Sequence, residues 1–196
     1  IVVDPGRRVY VRRVNIAGNN RTRDEVIRRE VRQYESAWFD SDRVRLSRDR
    51  IDRLGFFESV TVDTPAVPTA PDQVDVNVTV KERATGNIQL GAGYSSAEGL
   101  VLSAGISQQN LFGSGNALSL EINTSEANRV IALAHTDPYV TTEGISRSVE
   151  IFYRKSDLAE LGLSSVGYST QGAALTYGVP FTEFDRVFFG LRYENT

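Results

Sequence analysis

The sequence predicts two regions of different class: an α+β domain of order β-α-α-β-β, then an all-β run of about seven antiparallel strands that reads as part of a transmembrane β-barrel. Three observations carry this reading. Charge divides sharply at Gly86, with 16 basic and 14 acidic side chains in residues 1–86 against 6 and 11 in residues 87–196, where 12 of the 16 glycines also fall. Apolar periodicity changes at the same place, from a mixture of helical and alternating spacing to a period of two almost throughout. No run approaches the roughly 20 apolar residues that a membrane helix needs, so any crossing of a bilayer would be made by strands.

Taken in order, residues 9–16 carry Val9 and Val11 and, after Arg12 and Arg13, Val14 and Ile16, which reads as a strand closing on the turn Gly18-Asn19-Asn20. Thr22 with Glu25 three places later makes a capping box, and Ile27, Val31 and Tyr34 then recur at helical spacing, predicting a first helix. A second helix starts near Ser41, carries Val44, Ile51 and Leu54 on its apolar side, and stops at Gly55, a residue suited to the left-handed C′ position. Residues 60–64 and 74–81 follow as strands, the latter alternating Val74, Val76, Val78 and Val80, with Pro65, Pro68 and Pro71 in the loop between them.

Beyond Gly86 the alternation is regular. Ile88, Leu90, Ala92 and Tyr94 alternate with Gln89, Gly91, Gly93 and Ser95. Similar patterns fill 100–107, 118–123, 129–136, 145–156, 165–180 and 185–195, the last with Val187, Phe189, Leu191 and Tyr193 facing one way. A soluble sandwich would share this pattern. Lipid is favoured by strand lengths near the roughly 9 to 11 residues that cross a bilayer. It is favoured too by the return loops 96–99, 125–128 and the long 157–164 on the side away from chain entry, although the connection 137–144 is also long. Phe112, Tyr139, Phe181 and Phe184 fall at strand ends on the entry side, where an interfacial aromatic girdle would lie.

Particular motifs then carry a resemblance. Val14-Asn15-Ile16-Ala17-Gly18-Asn19 with Thr22-Arg23, and later Arg53-Leu54-Gly55-Phe56-Phe57, resemble a POTRA domain, the polypeptide-transport-associated module. Asp72-Gln73-Val74-Asp75, Val80-Lys81-Glu82-Arg83 and Thr85-Gly86 resemble the barrel-proximal POTRA unit of the BamA family of outer-membrane protein assembly factors. Gln109-Asn110-Leu111-Phe112-Gly113-Ser114-Gly115 and Thr136-Asp137-Pro138-Tyr139 resemble the start of that family's barrel. The resemblance implies residues 1–8 as the end of a preceding POTRA unit or linker, 9–85 as a POTRA domain and 86–196 as the N-terminal part of the barrel. With Ile1 first, no Met and no signal segment, the sequence reads as a piece of a longer or processed polypeptide that lacks the second half of the barrel.

The resemblance also implies a function without bond chemistry: folding and insertion of β-barrel proteins into the bacterial outer membrane, with the POTRA domain in the periplasm. Implied partners are periplasmic lipoproteins of the barrel-assembly complex, unfolded outer-membrane β-barrel clients and outer-membrane lipid. Arg28 and Glu35 match the family's lipoprotein-docking stretch, with solvated helix charges as the plainer reading. A strand entering hydrocarbon needs hydrogen-bond partners, and an openable barrel seam offers an edge that templates it. The first barrel strand, with Asn87, Ile88, Gln89, Leu90, Gly91, Ala92, Gly93 and Tyr94, would form one side of such a seam. Gly91 and Gly93 would weaken its pairing or simply leave room in the lumen.

Other classes find little support. Zero cysteines exclude disulfides and thiolate chemistry, the single His135 excludes His-rich metal sites, and no cofactor is implied. Arg43, Arg45, Arg48, Arg50 and Arg53 interleave with Asp42, Asp49 and Asp52, at spacings such as Arg45 to Asp49 and Asp49 to Arg53 that pair on a helix surface, so nucleic acid is not an expected partner. His135 and Asp137 share a strand face without a serine partner set, and the Gly91 and Gly113 clusters lack a dinucleotide fingerprint. The rivals are a polypeptide-export channel of the two-partner type and a soluble periplasmic binding module whose residues 87–196 would fold without detergent.

Overall fold

The computed structural model describes residues 8–96, 98–157, 167–183 and 185–196. The described residues divide into two compact units, the first running to Thr85 and including 112–114, the second running from Gly86 to Leu111 and on from Gly115.

In the first unit, β1 (Tyr10–Ala17), α1 (Asp24–Arg28), α2 (Ser41–Arg53), β2 (Phe57–Asp63), β3 (Ala66–Val67) and β4 (Ala70–Glu82) succeed one another. The sheet order is β1-β4-β2, with β1 parallel to β4, β2 antiparallel to it, and β3 pairing with β4 from the proline loop. Helices cover one face, and Val11, Val14, Ile27, Ile51, Phe57, Val76, Val78 and Val80 form the core between the layers. Val11 and Val14 are three residues apart and would point to opposite faces of a regular strand. A register shift between Val11 and Arg13 turns both inward.

Two local readings change. The first helix ends at Arg28, short of Val31 and Tyr34, because the next residues have tertiary work to do. Buried Glu30 accepts an ion pair from Arg50 at 2.8 Å, and fully buried Gln33 bonds the Trp38 carbonyl at 3.0 Å and the Asp40 amide at 3.0 Å. Val31 still reaches the core, whereas Tyr34 stands in solvent. The capping box does not form either: Arg23 occupies the N-cap without a side-chain bond, and the Thr22 amide is held by Glu82 at 2.6 Å. Around α2 the expectations are met. Asp40 caps its start by accepting from the Asp42 amide at 2.8 Å, and Gly55 follows its end with φ 72°. Arg43, Arg45 and Arg48 pair with aspartates close in sequence, although Arg45 turns back to Asp42 at 3.1 Å and not forward to Asp49, while Arg50 reaches across to Glu30.

The second unit is a seven-stranded sheet of β5 (Gly86–Ser95), β6 (Gly99–Gln108), β7 (Ala117–Thr124), β8 (Asn128–Asp137), β9 (Ser146–Asp157), β10 (Gly167–Pro180) and β11 (Arg186–Asn195). Every pair is antiparallel between sequence neighbours, so the sheet is a simple meander with β5 and β11 at its edges. One row of paired residues crosses all seven strands: Ile88, Ile106, Leu120, Leu133, Ile151, Ala173 and Tyr193. The opposite face carries Gln89, Gly105, Glu121, Ala132, Phe152, Gly172 and Glu194 in the same register. Most of the apolar row is exposed, with Ile88 at 70% and Ile151 at 58%. The long far-side connection expected at 157–164 falls almost wholly outside the described residues, so only the shorter connections can be compared. Residues 109–116 and 138–145, on the side where β5 begins, make longer connections than 96–98 and 125–127 opposite. These longer loops are internally braced: Asn110 accepts the Gly115 amide at 2.8 Å, and Asp137 accepts the Tyr139 amide at 3.0 Å.

Candidate functional site

The candidate seam strand β5 pairs with β6 alone, from Gly86 with Gln108 to Ser95 with Gly99, so its other edge has no strand partner among the described residues. Ile88, Leu90 and Tyr94 project from its apolar face at 70%, 82% and 82% exposure. Ala92 shares that face, while Asn87, Gln89, Gly91 and Gly93 belong to the other. A Cβ at Gly93 would meet nothing within 4 Å, and one at Gly91 would meet only the Ser103 side chain. Packing within the described sheet therefore does not demand Gly93, whereas a side chain at Gly91 requires the Ser103 hydroxyl to turn away.

Arg28 and Glu35 come together beside β1, 3.9 Å apart. They are more than solvated helix charges. The Glu35 carboxylate accepts the Val14 amide at 2.9 Å, and the Arg28 guanidinium donates to the Val14 carbonyl at 3.4 Å. Together they stand where a neighbouring strand's backbone would bond. Further along the same edge, the Val11 amide donates to the Ala37 carbonyl at 2.9 Å, and Val11 accepts the Ser36 amide at 2.8 Å. The β1 edge is thus covered by its own chain from Val11 to Val14, a common protection for a sheet edge. Position in sequence did not reveal this, because the pairing partner is a backbone group 21 residues from Glu35.

The motif Lys81-Glu82-Arg83 is also explained by contacts. Lys81 pairs with Glu58 at 2.8 Å, and Arg83 donates to the Gly55 carbonyl at 2.7 Å, beyond the end of α2. Glu82 accepts the Arg21 and Thr22 amides at 3.0 and 2.6 Å. Burial by itself would raise the Glu82 pKa, but the bonds from Thr22 and Arg21 outweigh it and hold the carboxyl below its usual range. On the exposed sheet face, Arg12 donates to Asp75 at 2.8 Å, and that bond lowers the Asp75 pKa.

Of the four aromatics, Phe112 is 88% exposed at a φ of 50° in the connection between β6 and β7, and Phe181 is 66% exposed between β10 and β11. Tyr139 is half-buried between β8 and β9, and Phe184 lies outside the described residues. All three described aromatics fall in connections at the same end of the meander. Residues 112–114 cluster with the first unit, where Gly113 accepts the Arg23 amide at 3.0 Å.

A β-α-α-β-β unit with one parallel strand pair, joined to an open antiparallel meander with one apolar face, defines a POTRA-and-barrel protein. Family comparison agrees: POTRA, described as a surface antigen variable number repeat, matches residues 9–83, and the Omp85 superfamily domain matches residues 110–196. The particular relatives are outer-membrane protein assembly factors named BamA. That of Neisseria meningitidis is 42% identical over 98% of this chain, which spans 24% of its length. The crystal structure of BamA from Haemophilus ducreyi lacking POTRA domains 1–3 is 39% identical, with a TM-score of 0.81, over 97% of this chain and 36% of that one. CdiB from Acinetobacter baumannii, at 16% identity and a TM-score of 0.65 over 95% of this chain and 38% of that one, shares the fold. The chain belongs to the BamA family of outer-membrane protein assembly factors.

Proposed function

We propose that the chain is the POTRA domain and the first seven barrel strands of a protein that folds and inserts β-barrel proteins into the bacterial outer membrane, with residues 9–85 in the periplasm. The observation that carries this reading is a POTRA fold followed by an antiparallel meander with one continuous apolar face, in a chain related over 98% of its length to BamA proteins. In the full-length barrel a seam opening beside β5 would template an incoming strand, which cannot leave its amides unpaired in hydrocarbon. No step in this activity needs a bond made or broken.

The test uses the full-length parent protein in liposomes, with an unfolded outer-membrane barrel added and its protease-resistant insertion followed in time. Acceleration over empty liposomes is expected, and Gly91→Val with Gly93→Val should slow it. Unchanged kinetics in that variant would remove the seam role from β5. No acceleration, even with periplasmic lipoproteins supplied, would move the weight to a polypeptide-export channel.

Arg28 and Glu35 are proposed as lipoprotein contacts. Because Glu35 also holds the Val14 amide, a charge reversal would disturb both roles. Glu35→Gln separates them, since an amide oxygen still accepts that bond while the charge is gone. Reduced lipoprotein co-purification with Glu35→Gln is expected; undiminished recovery in both this variant and Glu35→Lys would limit Glu35 to protecting the β1 edge.

A further inference from the structure

The apolar face of the meander ends differently at its two ends. At the end where β5 begins, its outward row pairs Asp137 of β8 with Arg147 of β9, which are of opposite sign. At the other end, the outward row pairs Arg129 of β8 with Lys155 of β9. These two cations share a face with Ile131, Leu133, Ile151 and Tyr153, because all lie an even number of residues apart along their strands. Both are exposed, and neither has an ion-pair partner among the described residues. The nearest residues in the same row, Thr124 on β7 and Ser169 on β10, are neutral hydroxyl donors. The carboxylates Glu126 and Asp157 lie one step further out, toward the loops.

Side chains directly opposite on an antiparallel pair have Cβ atoms roughly 5 Å apart, and like charges placed so are destabilising. The eight steps from Arg147 to Lys155 cover roughly 27 Å of strand, or about 20 Å normal to a bilayer at the usual barrel tilt. That sets the cation pair at the rim of the apolar band, at headgroup depth. A doubly charged anion there relieves the repulsion, and two neighbouring hydroxyls add donors to its oxygens.

We propose that Arg129 and Lys155 form a docking point for the phosphomonoester of an outer-leaflet lipid headgroup, with Thr124 and Ser169 flanking it. The proposal rests on the membrane-spanning reading above. It is a lipid site and not one for free phosphate, because the pair borders an apolar surface suited to acyl chains and not an enclosed polar pocket.

The experiment reconstitutes the full-length protein in phosphatidylcholine vesicles with and without lipid A as the phosphomonoester-bearing probe. Insertion is read by heat-modifiable mobility and bound lipid A by native mass spectrometry across a titration. Arg129→Gln with Lys155→Gln should weaken lipid A retention about 30-fold, and each single change about fivefold. The exchange Arg129→Lys with Lys155→Arg keeps both charges and should retain binding, and excess inorganic phosphate should not displace the lipid. Insertion with equal retention by wild type and double glutamine variant overturns the site alone, as does full displacement by phosphate. Failure of the wild type to insert into either vesicle overturns the membrane-spanning reading, and the site with it.

Discussion

The two units use the same alternation of valine, leucine and isoleucine against opposite surroundings. In the first, Val76, Val78 and Val80 of β4 are at most 4% exposed beneath the helices. In the second, Ile88, Leu90, Leu191 and Tyr193 are at least 70% exposed, because no layer among the described residues covers the sheet. A period of two states that one face is apolar, and only the partner of that face decides whether it is a core or a lipid surface. Polar groups invert accordingly. The first unit buries Glu30, Gln33, Ser47 and Thr22 with partners, while the second keeps Glu121, Glu150 and Arg154 on its other face.

That contrast is open to direct test. The largest effect is expected from Arg50→Ala, which leaves the Glu30 carboxylate, on a side chain 5% exposed, without its guanidinium partner at 2.8 Å. A loss of about 3 to 5 kcal/mol is expected, read from the denaturation midpoint of Trp38 fluorescence, whose single indole reports the first unit alone. An unchanged midpoint would mean that water replaces the arginine and that this layer is not dry.

Leu133→Arg should cost the second unit about 2 to 4 kcal/mol in a bilayer, because it lies mid-strand on the outward face. Ala132→Ser, one residue away and facing the other side, should cost little. Equal penalties in a folding titration into phosphatidylcholine vesicles would place a protein core, and not lipid, against the Leu133 face.

The smallest effect is expected at Glu82. Its native pKa lies below its unfolded value, so its stabilising contribution is complete above the ordinary carboxylate range and is lost as pH falls through the lowered native value. The Trp38 midpoint should therefore decline below about pH 4. Glu82→Gln should cost on the order of 1 kcal/mol at neutral pH and flatten that decline. An undiminished acid slope in the variant would assign it to other carboxylates, Asp75 with its Arg12 bond being the first candidate.

The sequence by itself determined the division at Gly86, the strand count of the meander, the valine face of β4, and the limits of α2, from a start near Ser41 to the stop at Gly55. These features are local or strictly periodic, so neighbours in sequence specify them. Periodicity misread the first helix because Val31 is buried from an irregular segment, and helical spacing cannot distinguish a buried residue on a helix from one on a loop. Tertiary structure alone decided that Glu30 and Gln33 end that helix, that a shifted register turns Val11 and Val14 inward together, and that Arg28 and Glu35 meet at the Val14 backbone. It also set Arg129 directly opposite Lys155. Each of these depends on a partner distant in sequence, fixed by strand register and layer packing, which no local spacing encodes.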